Sequence, residues 1–123
     1  MLLDSNIIIY SAKREHAKLR LFLNENIYSV SAVSVIEVLG YHLINEKERE
    51  NLEEFFEAAS VLSISDAVVT QAVRLRQLRP ISLGDAIIAG TALAHNLDLV
   101  TRNLNDFSWI KDLSLINPFD KLS

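Results

Sequence analysis

Four acidic residues stand where apolar runs end, and carboxylates are the side chains that hold hard divalent cations. Asp4 directly follows Leu2-Leu3. Glu37 interrupts the apolar stretch Ser34-Val35-Ile36-Glu37-Val38-Leu39. Asp85 opens Asp85-Ala86-Ile87-Ile88-Ala89-Gly90-Thr91-Ala92-Leu93, and Asp106 lies in Thr101-Arg102-Asn103-Leu104-Asn105-Asp106-Phe107. Singly, each has an ordinary structural explanation. Asp4-Ser5-Asn6 is good turn chemistry, and Glu37 fits the solvated stripe of an amphipathic helix. Asp85 fits a helix cap, and Asp106 fits an Asn/Asp turn. Together they make an oxygen-only donor set suited to Mg2+ or Mn2+. Ions held in this way activate water and stabilise an in-line displacement at phosphorus. Without a cation, the same charges would repel a nucleic acid.

Other chemistries find little support. His16, His42 and His95 are scattered, and the absence of cysteine removes disulfides and thiolate-bound zinc. There is no Gly-rich phosphate loop and no serine in a nucleophile-elbow context.

The elements around the acids follow from hydrophobic periodicity. Leu2-Leu3 reads as the end of a buried strand, Ile27 to Val30 as a second, Val61 to Ile64 as a third, Leu97 to Thr101 as a fourth and Leu113 to Ile116 as a fifth. Helices are expected over Ala17 to Leu23, Ser34 to Ile44, Glu46 to Ala59, and from a Ser65 cap to about Leu78 ahead of Pro80. In the Glu46 to Ala59 helix, Leu52, Phe55 and Phe56 should face inward. The clearest helix runs from Asp85 to His95, with Asn96 suited to end it. Short apolar strands alternating with helices predict a three-layer α/β/α sandwich with a mostly parallel central sheet. In such folds the site lies at the carboxyl ends of the strands, which is where Asp4 and Asp106 fall.

At 123 residues the chain reads as a single domain over 1–123. Half the residues are hydrophobic, enough for one core, and 23% are charged, which describes an ordinary soluble surface. The opening Met1-Leu2-Leu3-Asp4 lacks the features of a signal peptide, and Val30 to Ile44 is too short and too polar to span a bilayer. A cytoplasmic protein is the expectation. The net charge of −4 argues against nucleic acid unless basic residues gather around the acids.

The motifs resemble the PIN-domain family, in its VapC branch. Leu3-Asp4-Ser5-Asn6 is similar to the family's opening, Ser34-Val35-Ile36-Glu37 to its Ser-x-x-Glu segment, and Gly84-Asp85-Ala86-Ile87-Ile88-Ala89 to its Asp-Ala-x-Ile-Ala stretch. Val100-Thr101-Arg102-Asn103-Leu104-Asn105-Asp106-Phe107 resembles its last motif, and Ile116-Asn117-Pro118-Phe119 the branch's ending. The resemblance implies a divalent-metal-dependent endoribonuclease, the toxin of a toxin–antitoxin pair. Asp4 and Asp85 would be the principal Mg2+ or Mn2+ ligands and Glu37 a further acidic member. Ser5, Asn6 and Thr101 would hold carboxylates or water by hydrogen bonds. Many members carry a fourth acid where Asn103 stands; here Asp106 is the nearby acid, so the second metal position is the less certain part of the pattern. Implied partners are an RNA substrate, a VapB-like antitoxin and a second copy of the chain. The apolar stretch Leu39 to Phe56 is a candidate contact surface. Two alternatives stand beside this reading. One is a receiver-like phosphoacceptor module, although Asp4 has no adjacent acid and Lys111 is poorly placed for it. The other is a catalytically silent PIN-like binding module.

Overall fold

A computed structural model describes residues 1–122. Five short strands, β1 (Leu2–Leu3), β2 (Ser29–Ser31), β3 (Ser60–Leu62), β4 (Leu99–Val100) and β5 (Leu115–Ile116), form one sheet in the order β3-β2-β1-β4-β5. All neighbours pair in parallel. Alternation along the strands sends successive side chains to opposite faces. Leu2 and Leu99 therefore enter one core cluster with Leu75, Ile88, Ala89 and Phe107. Leu3 and Val100 enter the other with Ile7, Leu19, Val38, Leu52 and Phe56. Each fully buried Leu or Ile contributes about 1.5–3 kcal/mol, whereas a ladder hydrogen bond adds about 1 kcal/mol net. Strands of two or three residues are thus held by the helices packed on both faces more than by their ladders.

The helices are α1 (Ser5–Ser11), α2 (Ala17–Asn24), α3 (Ala32–Leu39), α4 (Glu46–Ala58), α5 (Asp66–Leu78), α6 (Leu83–Ala94) and α7 (Leu104–Phe107). The expected sandwich is present, and Ser65 caps α5 by accepting from the Val68 N–H. Asn96 ends α6 in the left-handed region, with φ 54°, as asparagine tolerates. Several details differ. The segment between Asp4 and Ala17, to which sequence patterning assigns no element, contains α1. Three consecutive isoleucines favour a strand locally, but burial of Ile7 and Ile8 decides for helix. The α3 helix starts two residues earlier than expected because Ser31 caps it, and it stops at Gly40 rather than Ile44. The second strand begins after Ile27, whose side chain is almost fully exposed, and the fourth strand is shorter than Leu97 to Thr101. In α4, Leu52 and Phe56 are buried. Phe55 is only half-buried and stacks on Tyr28.

Helices α5 and α6 approach each other closely at Gly90. A Cβ on Gly90 would lie 3.0 Å from the Val68 carbonyl oxygen and 3.1 Å from the Ala72 amide nitrogen. These are backbone atoms of a neighbouring helix and yield little. Gly90→Val should therefore lower stability by about 2–3 kcal/mol through overpacking. Gly90→Ala should cost less, because alanine recovers about 1 kcal/mol of helix propensity. Urea unfolding of the two variants measures both, and a Gly90→Val protein as stable as the parent would contradict the packing account.

Candidate active site

The strand order reverses between β1 and β4, the switch point at which doubly wound sheets open a crevice. Register pairs Leu3 with Val100, so the next residues, Asp4 and Thr101, are neighbours at that crevice. The Asp4 amide donates to the Val100 carbonyl at 3.0 Å, and the Thr101 hydroxyl donates to Asp4 Oδ2 at 2.8 Å. Thr101 Oγ1 also accepts from the Asn103 N–H at 3.0 Å, which fixes the direction of its proton. Asp4 occupies the N-cap position of α1 but makes no side-chain cap bond. The residue is 4% exposed.

Glu37, at the solvent edge on α3, is held by a chain of hydroxyls. Ser5 Oγ donates to Glu37 Oε1 at 2.8 Å and lies 2.8 Å from Ser34 Oγ. Ser5 has one proton, and it is directed at the carboxylate, so Ser34 is the donor to Ser5. Gly84 lies against this glutamate: a Cβ there would collide with the Glu37 carboxylate. The sequence pattern missed both Ser34's part in the chain and the role of Gly84. The second has no signal beyond the glycine itself.

Asp85 does not cap α6. Ser82 does, accepting from the Asp85 N–H at 3.2 Å, which places Asp85 in the first helical turn. The Ser82 hydroxyl also lies close enough to the Asp85 carboxylate to lower its pKa. A helical turn, α7, follows Thr101. It places Asp106 one turn from Asn103, whose carbonyl accepts from the Asp106 N–H at 3.1 Å.

Charge ties these groups together. Burial raises the pKa of Asp4 above the ordinary 3.8. Thr101 and the nearby N–H groups of Asn6 and Ser5 oppose that rise, and Glu37 adds to it. Burial also raises Asp85; Asp4, Asp106 and Glu37 push it further, and the Ser82 hydroxyl opposes them. Asp85 is therefore within electrostatic reach of the other three predicted acids, and Asp4 within reach of Glu37. No basic residue contributes to either shift. Arg49 pairs with Glu46 and Glu53, none of which acts on these shifts. Asn6 and Asn103 are exposed at the rim, and Asn6 acts on Asp4 through its backbone rather than its amide. Among the described residues no three acids converge tightly enough to enclose an ion by themselves. That geometry still suits Mg2+, which is usually held by one or two carboxylates and keeps several waters.

The raised pKa values have a consequence for stability. A carboxyl whose folded pKa exceeds its unfolded value opposes folding when ionised. The penalty is absent below about 3.8, grows as pH rises through the folded pKa, and is complete above it. In chelator, Asp85→Asn should melt at a higher temperature than the parent near neutral pH, and the difference should vanish toward about pH 4. Thermal melts across that range measure it. A variant less stable than the parent at neutral pH would show that the cluster is not repulsive.

Comparison with known proteins agrees with this geometry. The PIN domain family model matches residues 1–112. A curated relative, the tRNA(fMet)-specific endonuclease VapC of Shigella flexneri, is 30% identical over 122 residues, covering 91% of this chain and 92% of its own. A toxin–antitoxin complex from Klebsiella pneumoniae contains a chain 28% identical to this one, with a TM-score of 0.74 and coverage of 95% and 96%. A DNA-bound VapBC from Salmonella typhimurium, at 24% identity, has the same fold, with a TM-score of 0.82 and coverage of 94% and 95%. The five-stranded parallel sheet, the acids at its switch point and the family match lead to one assignment: the chain belongs to the PIN domain family.

Proposed function

We propose that the protein is a divalent-metal-dependent endoribonuclease of the VapC type. One observation carries this reading most: a nearly buried Asp4 at the switch point, coupled to Glu37 and Asp85, with Asp106 acting on Asp85 and no basic residue contributing. Such a group is suited to binding a cation, not to structural pairing. Asp4 and Asp85 would hold the Mg2+ or Mn2+, with Glu37 as a further acidic member. Bound there, the ion would supply the acidification of water and the neutralisation of charge at the phosphoryl group.

The chain's own residues set the stage for that chemistry. Thr101 orients Asp4, Ser5 with Ser34 orients Glu37, and Ser82 orients Asp85. All of these donors are neutral, so they position the acids without cancelling their charge. Glu37, open to solvent, can take a proton from an attacking water. Asp106 adds negative charge on the Asp85 side, in place of the acid that many relatives have where Asn103 stands here. A receiver-like module is disfavoured by the family assignment.

The relatives also support partners. The Klebsiella structure is a toxin–antitoxin complex and another neighbour is VapBC-1 of Haemophilus influenzae, 26% identical with a TM-score of 0.79. A VapB-like antitoxin is accordingly the proposed protein partner. Self-association is supported by exposed apolar side chains at Ile36, Val61, Ile64, Val69 and Val73. The α4 residues Leu52 and Phe56, by contrast, are used in the core. Among the described residues no helix is long and apolar enough to cross a membrane.

Cleavage of total cellular RNA with Mg2+ or Mn2+, with and without chelator, tests the function. Thr101→Val, Ser5→Ala and Gly84→Ala should each lower cleavage by about 10–100-fold, as loss of ligand-orienting groups does. Asp4→Asn should fall below all of them, and Asp106→Ala should lose less than Asp4→Asn. Chelator-resistant cleavage, or full activity in Asp4→Asn, would contradict the mechanism. A folded protein inert on every RNA would favour a silent binding module.

A further inference from the structure

Two arginines beside the acidic cluster are each held on an aromatic platform. The Arg79 guanidinium lies 4.9 Å from the Trp109 ring centroid. The Arg102 guanidinium lies 4.3 Å from the ring of Phe119 and 5.7 Å from that of Tyr10. Both arginines are exposed. Three of the other five arginines are engaged elsewhere: Arg20 donates to the carbonyls of Ser11 and Lys13, Arg74 to Gln71, and Arg49 pairs with two glutamates; what sets Arg79 and Arg102 apart from Arg14 and Arg76 is the aromatic ring beneath each. Among the described residues neither Arg79 nor Arg102 has a hydrogen-bonding or ion-pairing side-chain partner. Arg79 walls a cleft together with Ser82, Asp85, Asn105, Asp106 and Trp109, yet it pairs with neither acid. Arg102 walls a second cleft that shares Asn105 and Asp106 with the first.

The two platforms are also tied to the acids. Trp109 Nε1 donates to the Asp106 carbonyl at 2.9 Å, and Arg102 follows Thr101, the residue that holds Asp4. The positive groups thus sit on a continuous track: Arg79, then Asp85 and Asp106, then Asn105 and Arg102. A guanidinium held over a ring by its central carbon leaves N–H donors free for a phosphate, with which arginine pairs bidentately. An acidic chain must draw affinity for a polyanion from local positive charge, because each phosphate contact contributes through counterion release.

We propose that Arg79 on Trp109 and Arg102 on Phe119 and Tyr10 bind the backbone phosphates on either side of the scissile bond of a single-stranded RNA. The inference rests on the nuclease reading, and it is separable from it by experiment. Fluorescence anisotropy of a short labelled single-stranded RNA in Ca2+, a hard cation that occupies carboxylates without the tight octahedral geometry of Mg2+, measures binding apart from cleavage. The slope of log affinity against log salt should shrink by about 0.7 for Arg79→Ala, by the same for Arg102→Ala, and by about twice that in the double variant. Arg79→Lys should keep the slope while binding more weakly, since it retains the charge and loses the stacking. Trp109→Leu should weaken binding with Arg79 intact; should it fail to fold, Arg79→Ala at an exposed position carries the test. With Mn2+, both alanine variants should raise KM several-fold more than they lower kcat. An unchanged affinity and slope in both alanine variants, or no RNA binding by the parent, would overturn the proposal. Arginine-dependent binding without any cleavage would uphold the arginines as phosphate-binding groups and sink the nuclease reading. Cleavage with arginine-independent binding would do the reverse.

Discussion

Carboxylates crowded at one end of a parallel sheet repel one another, and the structure around them is organised to hold that repulsion in place. Asp4 is nearly buried, and its charged neighbours are other acids. A protein that needed only a stable fold would place a lysine or arginine here, or an apolar residue, since an unpaired buried charge is costly. Instead the three acids nearest the crevice are held by hydroxyls: Thr101 for Asp4, Ser5 and Ser34 for Glu37, Ser82 for Asp85. Hydroxyl donors fix direction and leave the net charge intact, as the proposed cation site requires. The rest of the fold follows from this requirement. The switch point between β1 and β4 brings residues 97 apart in sequence into a 2.8 Å hydrogen bond. The close α5–α6 packing at Gly90 anchors the helix that carries Asp85.

Much of this was legible in the chain because acids and apolar runs alternate with the sheet's own period. Leu2-Leu3 before Asp4 and the α6 segment around Ala86, Ala89 and Gly90 announce a buried strand end and a closely packed helix. What the residues do not disclose is long-range. Three isoleucines in a row look like strand, and only the packing of Ile7 and Ile8 into the core makes α1 a helix. Ser82 outcompetes Asp85 as the α6 cap because it lies three residues earlier, where its oxygen meets the Asp85 N–H. Patterning cannot decide between two capping residues that close together. The hydroxyl chain from Ser34 through Ser5 joins residues on different helices and has no sequence period at all.

The same long-range logic reconciles an acidic chain with the polyanionic substrate proposed for it. Net charge is an average, and the field at a site depends on which charges are paired. On α4, Arg49 lies between two glutamates and adds little field of its own. Beside the crevice, Arg79 and Arg102 rest on aromatic rings, which hold a guanidinium without cancelling it. Acids held by neutral hydroxyls and arginines held by neutral rings express one principle: position without neutralisation.

The central claim is that the four acids form one cluster whose charge awaits a divalent cation. The most direct measurement is the melting temperature as Mn2+ is added at neutral pH, because a ligand that binds only the folded state stabilises it in proportion to the logarithm of its concentration. The account predicts a steady rise for the parent that is largely lost in Asp4→Asn and in Asp85→Asn. A parent whose melting temperature ignores Mn2+, or an Asp4→Asn protein that responds as fully as the parent, would contradict it.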